Sequence, residues 1–143
     1  MLLRLQIPES VYDRLKNGED IKAITNFNRD NKKQAYEILS KISGFDNFWF
    51  SMVVEDIDEE ELEYHCCMSS KENPVNIIVD IPETELFITD FYYFSDLIYF
   101  TAEEQDPLAV ENIIKTFKSG INRGMRQAIF PIFKYSYIKQ VIP

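Results

Sequence analysis

Val75-Asn76-Ile77-Ile78-Val79-Asp80-Ile81 decides how this chain is read. Its apolar residues Val75, Ile77, Val79 and Ile81 fall at every second position, so an extended strand would turn all four to one face. Asn73-Pro74, just before it, marks a turn. Downstream the period changes from two to that of a helix. Residues 86–89 form a brief extended piece, and Asp90 suits the N-cap of a helix over residues 91–100 with Phe91, Phe94, Leu97 and Ile98 inward. Pro107 opens another helix, with Val110, Ile113, Ile114 and Phe117 as its apolar stripe and Lys115 and Lys118 near the C-terminus, where cations suit the helix dipole.

Upstream, residues 2–7 alternate, with Leu3, Leu5 and Ile7 on one face and Arg4 and Gln6 on the other. Pro8 opens a helix carrying Val11, Tyr12 and Leu15 that stops at Gly18, and residues 19–30 read as a loop holding Ile21, Ile24 and Phe27 to the core. Residues 31–43 form a helix with Ala35, Ile38, Leu39 and Ile42 on one face, ended by Gly44. Residues 48–54 are a buried strand of aromatic and β-branched residues, and residues 63–69 are a further candidate strand. Toward the C-terminus, residues 126–133 read as a strand whose Pro131 marks an edge or a bulge, and residues 137–142 are extended. Strands and helices interleave without the regular βαβ spacing of a doubly wound sheet. The expectation is one α+β domain over residues 1–143, with a mixed or antiparallel sheet of about five to six strands and about three to four helices.

Composition agrees with a folded domain. Apolar residues make up 45 % of the 143, enough for a core of its own. No run nears the roughly 18 apolar residues of a membrane span. The first residues lack the apolar stretch of a secretory signal. The two cysteines, Cys66 and Cys67, are adjacent and cannot build a disulfide framework. These features predict a reduced, cytoplasmic protein with no membrane partner.

Charge is unevenly spread along the chain. Residues 1–45 carry a net +2, residues 46–114 a net −17 and residues 115–143 a net +6, for −9 in all. The middle segment would repel a phosphate backbone, which argues against direct nucleic-acid binding, but it could meet a protein with a basic surface. Its densest stretch holds Glu55, Asp56, Asp58, Glu59, Glu60, Glu61 and Glu63, seven acids in nine residues, a solvated face in the plain reading and a partner-docking patch in the functional one.

Catalytic chemistry is sparse. His65 is the single histidine and stands beside Cys66 and Cys67. Three consecutive residues cannot wrap a tetrahedral metal, so no metal site is expected. Gly120 and Gly124 bracket a basic turn without the Lys-Ser/Thr of a phosphate loop, which leaves Arg123 and Arg126 as phosphate-binding candidates.

Several stretches together resemble a small bacterial family known as domain of unknown function 3841. They are Leu5-Gln6-Ile7-Pro8 with Val11-Tyr12, Leu15 and Gly18; Ala35-Tyr36; Ile81-Pro82 leading to Leu86-Phe87-Ile88-Thr89-Asp90-Phe91; Gln127-Ala128-Ile129-Phe130; and Ile138-Lys139-Gln140-Val141. That family is uncharacterised and implies no activity. The layout is also similar to ADP-ribosyltransferases, whose first strand bears an NAD-contacting residue and whose late strand bears a catalytic glutamate. Carried over, the candidates for catalytic positions are Arg4 or Gln6, contacting NAD, and Gln127 where the glutamate belongs. A neutral amide cannot stabilise the positive charge that develops as nicotinamide departs. This similarity therefore implies an NAD binder or an inactive relative.

Two functions follow as expectations. The first is a non-enzymatic acidic protein, of the regulatory or inhibitory kind that phages and mobile elements carry, which binds a basic macromolecular partner and needs no cofactor. The alternative is an ADP-ribosyltransferase-like NAD-binding domain, active as an enzyme or degenerate. It requires Arg4, Gln6 and Gln127 to converge on one cleft. The extended last segment would allow dimerisation through a sheet edge, but the sequence leaves the oligomeric state open.

Overall fold

The computed structural model describes residues 1–56, 58, 60 and 73–143. The candidate strand over residues 63–69, the His65-Cys66-Cys67 group and the acids Glu59, Glu61 and Glu63 lie outside the described residues. In chain order the elements are β1 (Leu2–Pro8), α1 (Glu9–Lys16), β2 (Ile21–Lys22), α2 (Lys33–Ser43), β3 (Trp49–Val53), β4 (Pro74–Asp80), β5 (Phe87–Asp90), α3 (Phe91–Ala102), α4 (Pro107–Ser119), β6 (Arg126–Phe130), β7 (Ile132–Phe133) and β8 (Ile138–Ile142). Six strands form one sheet in the order β5-β6-β3-β1-β4-β8, with every neighbouring pair antiparallel. The fold is α+β, as the irregular interleaving predicts, and among the described residues no helix is long and apolar enough to cross a membrane.

The period-two strands do what their alternation dictates. Leu3 pairs with Val79, Leu5 with Ile77 and Ile7 with Val75, so their side chains share one face of the sheet. There they pack with Val53, Ala128, Phe130 and Phe133, and with Leu15 of α1. The opposite face carries a second core. Tyr36 and Leu39 of α2, Phe94 and Leu97 of α3, and Ile113 and Phe117 of α4 pack there with Phe48 and Ile129. Gly44 and Gly120 end α2 and α4 in the left-handed region, at φ 79° and 75°, where a Cβ would be strained.

Two expectations are corrected. Residues 19–30 are not all loop, because Ile21 and Lys22 pair with Phe133 and Ile132 in a second, two-stranded sheet. Two residues are too few for periodicity to register. Residues 126–133 are not one continuous strand either. Pro131 separates β6, which lies inside the large sheet between β5 and β3, from β7 in the small one. A residue without an N–H sits where the chain changes sheets, not on an edge of the large one.

Asp90 joins the two halves of the C-terminal region. It is fully buried. Its Oδ1 accepts the backbone N–H groups of Tyr92 and Tyr93 at 2.9 and 3.1 Å, the N-cap predicted for this helix. Its Oδ2 accepts those of Arg123 and Met125 at 2.8 and 3.4 Å. One carboxylate thus fixes the start of α3 and the entry to β6.

A candidate anionic-ligand cavity

Strand register creates a row of paired residues across the sheet. Arg4 on β1 lies opposite Met52 on β3, Met52 opposite Gln127 on β6, and Gln127 opposite Thr89 on β5. Paired residues in antiparallel strands point to the same face, so all four share the face that α2, α3 and α4 cover. Arg4, Gln127 and Thr89 are all buried polar side chains, with Arg4 2 % and Gln127 3 % exposed.

Arg4, Met52 and Gln127 line a cavity of about 320 Å³. Aromatic rings of Tyr36, Phe48, Phe50, Phe91 and Phe94 line it as well. The segment before α2 supplies Thr25, Asn26, Arg29 and Lys32. That segment is built rather than merely draped. The Thr25 N–H donates to Asn47 Oδ1 at 2.9 Å, and Thr25 Oγ1 accepts the Phe48 N–H at 2.9 Å. Arg29 N–H donates to the Asn26 carbonyl and Lys32 N–H to the Arg29 carbonyl, at 3.3 and 3.1 Å. Asp30 takes a left-handed φ of 52° between them, a conformation aspartate tolerates better than most side chains.

The electrostatics of the cavity oppose those of the chain. Its lining includes three cations, Arg4, Arg29 and Lys32, and no aspartate or glutamate, while Arg29 Nε meets the exposed Asp30 Oδ2 beside the cavity at 3.8 Å. In a protein with net charge −9 this is a local reversal of sign. Low-dielectric walls strengthen the field of such a group. Burial pushes the Tyr36 phenol above its ordinary value, so at neutral pH it presents a neutral hydroxyl. Within this lining Gln127 Nε2 is buried and finds no hydrogen-bond acceptor among the described residues, a donor left for something else.

Gln6 departs from the expectation that it would join Arg4 and Gln127. It pairs with Asn76 on β4, and it does not line the cavity. The phosphate candidates Arg123 and Arg126 lie outside the cavity lining, and each guanidinium meets a carboxylate of this chain. Arg126 donates Nε and Nη2 to Asp56 at 2.9 and 2.8 Å and its backbone N–H to the same side chain at 2.7 Å. Arg123 donates to Asp96 Oδ2 at 3.3 Å and lies over the rings of Tyr92 and Tyr93.

Of the docking acids, Asp56 is therefore a structural residue, its side chain 13 % exposed, while Glu55 is 83 % exposed and Asp58 and Glu60 are exposed. Among the described residues no group of three or more His, Cys, Asp and Glu side chains could hold a metal ion.

The Asp56 pair makes a pH prediction. Burial pushes this carboxyl up, but the side-chain and backbone hydrogen bonds from Arg126 and its charge outweigh that and hold it below the ordinary value of 3.8. A depressed carboxyl contributes stability that is present above its unfolded value and lost as pH falls through the folded one. Asp56→Asn is expected to cost about 1–3 kcal/mol at pH 7. Urea unfolding at a series of pH values should show the gap from wild type closing below about pH 4. A gap independent of pH would mean that the charge of Asp56 contributes nothing.

No protein-family model matches the chain, and no curated protein or solved structure is found to be similar to it.

Proposed function

We propose that this protein binds a small anionic molecule with a planar ring in the cavity, as a binder and not as a catalyst. One observation carries the reading: a chain of net charge −9 lines one cavity with Arg4, Arg29 and Lys32 and with aromatic rings, and no carboxylate is among the lining residues. Cations would neutralise the anionic group, and the rings of Tyr36, Phe50 and Phe94 would take the flat apolar part. The reading extends the ADP-ribosyltransferase-like expectation in its inactive form, with NAD as one ligand of this class. Arg4 and Gln127 come from opposite ends of the chain and both line the cavity, while Gln127 is an amide where that layout has a carboxylate.

The experiment is a thermal-shift titration at low salt with nucleotides, NAD included. Ligand at about 100 times its Kd stabilises the native state by about 2.7 kcal/mol, a rise of several degrees. The rise should vanish in Arg4→Gln. No rise with any anionic ring compound would remove the proposal.

A second reading concerns the outside of the molecule and rests on the exposed Glu55, Asp58 and Glu60. Through them the protein would dock on a basic macromolecular partner, with salt-sensitive association. Changing all three to lysine is expected to abolish capture of a basic partner at low salt and to leave the ligand-induced rise in melting temperature intact. Capture indifferent to salt or to these changes would remove this reading.

A further inference from the structure

Resting on the cavity reading above, we infer that the ligand is a nucleoside monophosphate, one base and one phosphate, rather than a dinucleotide. Size is the first reason. A volume of about 320 Å³ lies at the small end of ligand sites. A pocket of this size, open on one side, suits a compact ligand with one ring system and one anionic group.

The aromatic lining offers room for one base. Tyr36 and Phe50 have centroids 5.5 Å apart, Phe50 and Phe94 5.5 Å, and Tyr36 and Phe94 6.1 Å. Rings this close are in contact with one another and leave no gap for a second ring to slide between them. A base would lie against the outside of this cluster, on a single stacking surface.

The cations and the amide complete the match. Arg29 and Lys32 stand on one hydrogen-bonded turn, which suits one compact anionic group rather than a chain of phosphates spread over two sites. Gln127 Nε2 is a buried donor with no acceptor among the described residues. Leaving such a group unmatched is costly, and a base supplies the missing acceptor as a ring nitrogen or a carbonyl oxygen. A plain aryl phosphate would fill the ring and anion positions but would not satisfy the amide.

The test is calorimetric titration of the full chain with AMP, GMP, CMP, UMP, NAD and phenyl phosphate. At least one monophosphate is expected to bind about tenfold or more tightly than both NAD and phenyl phosphate. Gln127→Leu should lose about tenfold of that affinity and bring it toward the phenyl phosphate value. Lys32→Ala, at the half-buried residue before α2, keeps the backbone bonds of the turn and should lose about threefold or more with little change in melting temperature, so the inference stays testable if the Gln127 variant does not fold. NAD binding as tightly as the best monophosphate would overturn the inference and leave the cavity reading standing. Phenyl phosphate binding as tightly would overturn the role given to the base. Absence of binding by every anionic compound would overturn both.

Discussion

Asp90→Ala is expected to lower stability by about 3–5 kcal/mol, because it leaves a cap unmade and several backbone N–H groups unpaired in the interior. Loss of the N-cap alone accounts for about 1 kcal/mol. The remainder comes from the other oxygen, which accepts from Arg123 and Met125 where the chain enters β6. For a chain of this size the change corresponds to a fall in melting temperature of about 10–15 °C. Asp90→Asn separates the two roles, since its carbonyl oxygen can still cap the helix while its amide nitrogen cannot accept from the Arg123 and Met125 N–H groups. Its stability should fall between the two. If Asp90→Ala costs no more than an ordinary cap, the carboxylate does not couple α3 to β6. Gln127, on the strand that Asp90 anchors, would then owe its position to the sheet alone.

Asp90 also marks how far the sequence could be read. Its position before an aromatic helical stripe identified it as a cap, since that requires only an oxygen near the next two N–H groups. Its bonds to Arg123 and Met125 join residues more than thirty positions apart, and no local pattern encodes them. The same divide runs through the fold. Alternation in Val75–Ile81 and helical spacing in residues 31–43 were enough to give the α+β class, because each follows from burying one face. The two-residue strand β2 and the change of sheet at Pro131 depend on what lies across from them, and they were missed.

The candidate site divides similarly. Arg4 and Gln127 stand out in the sequence through a resemblance in layout, and register places them in one row. Gln6 stands out on the same ground and is not in the lining, because two residues along β1 carry it past the cavity to a place opposite Asn76. Arg29 and Lys32 carry no motif that marks them as a site. The only signal for them was a pair of cations in the otherwise loop-like run before α2, and that run became a site only when the turn brought it beside β3. The partners of Arg123 and Arg126 are not legible in sequence because Asp96 and Asp56 are distant along the chain.

Arg4→Gln is expected to weaken binding of the anionic ligand about 100-fold, close to 3 kcal/mol. The size of this effect follows from where the charge lies. An exposed cation interacts with a phosphate through water and salt, which leaves it under about 1 kcal/mol. Arg4 is 2 % exposed, so its field acts through protein rather than solvent. Glutamine keeps a polar, hydrogen-bonding side chain of shorter reach and removes only the charge and the guanidinium fork. The comparison that isolates the charge is between a nucleoside and its monophosphate, titrated into both proteins by calorimetry. The nucleoside should change by less than about threefold and the monophosphate by about 100-fold, so that the phosphate loses its advantage in the variant. Equal losses for both would mean that Arg4 supports the shape of the cavity and not its charge. In that case the sign reversal inside an acidic chain would reside in Arg29 and Lys32 alone.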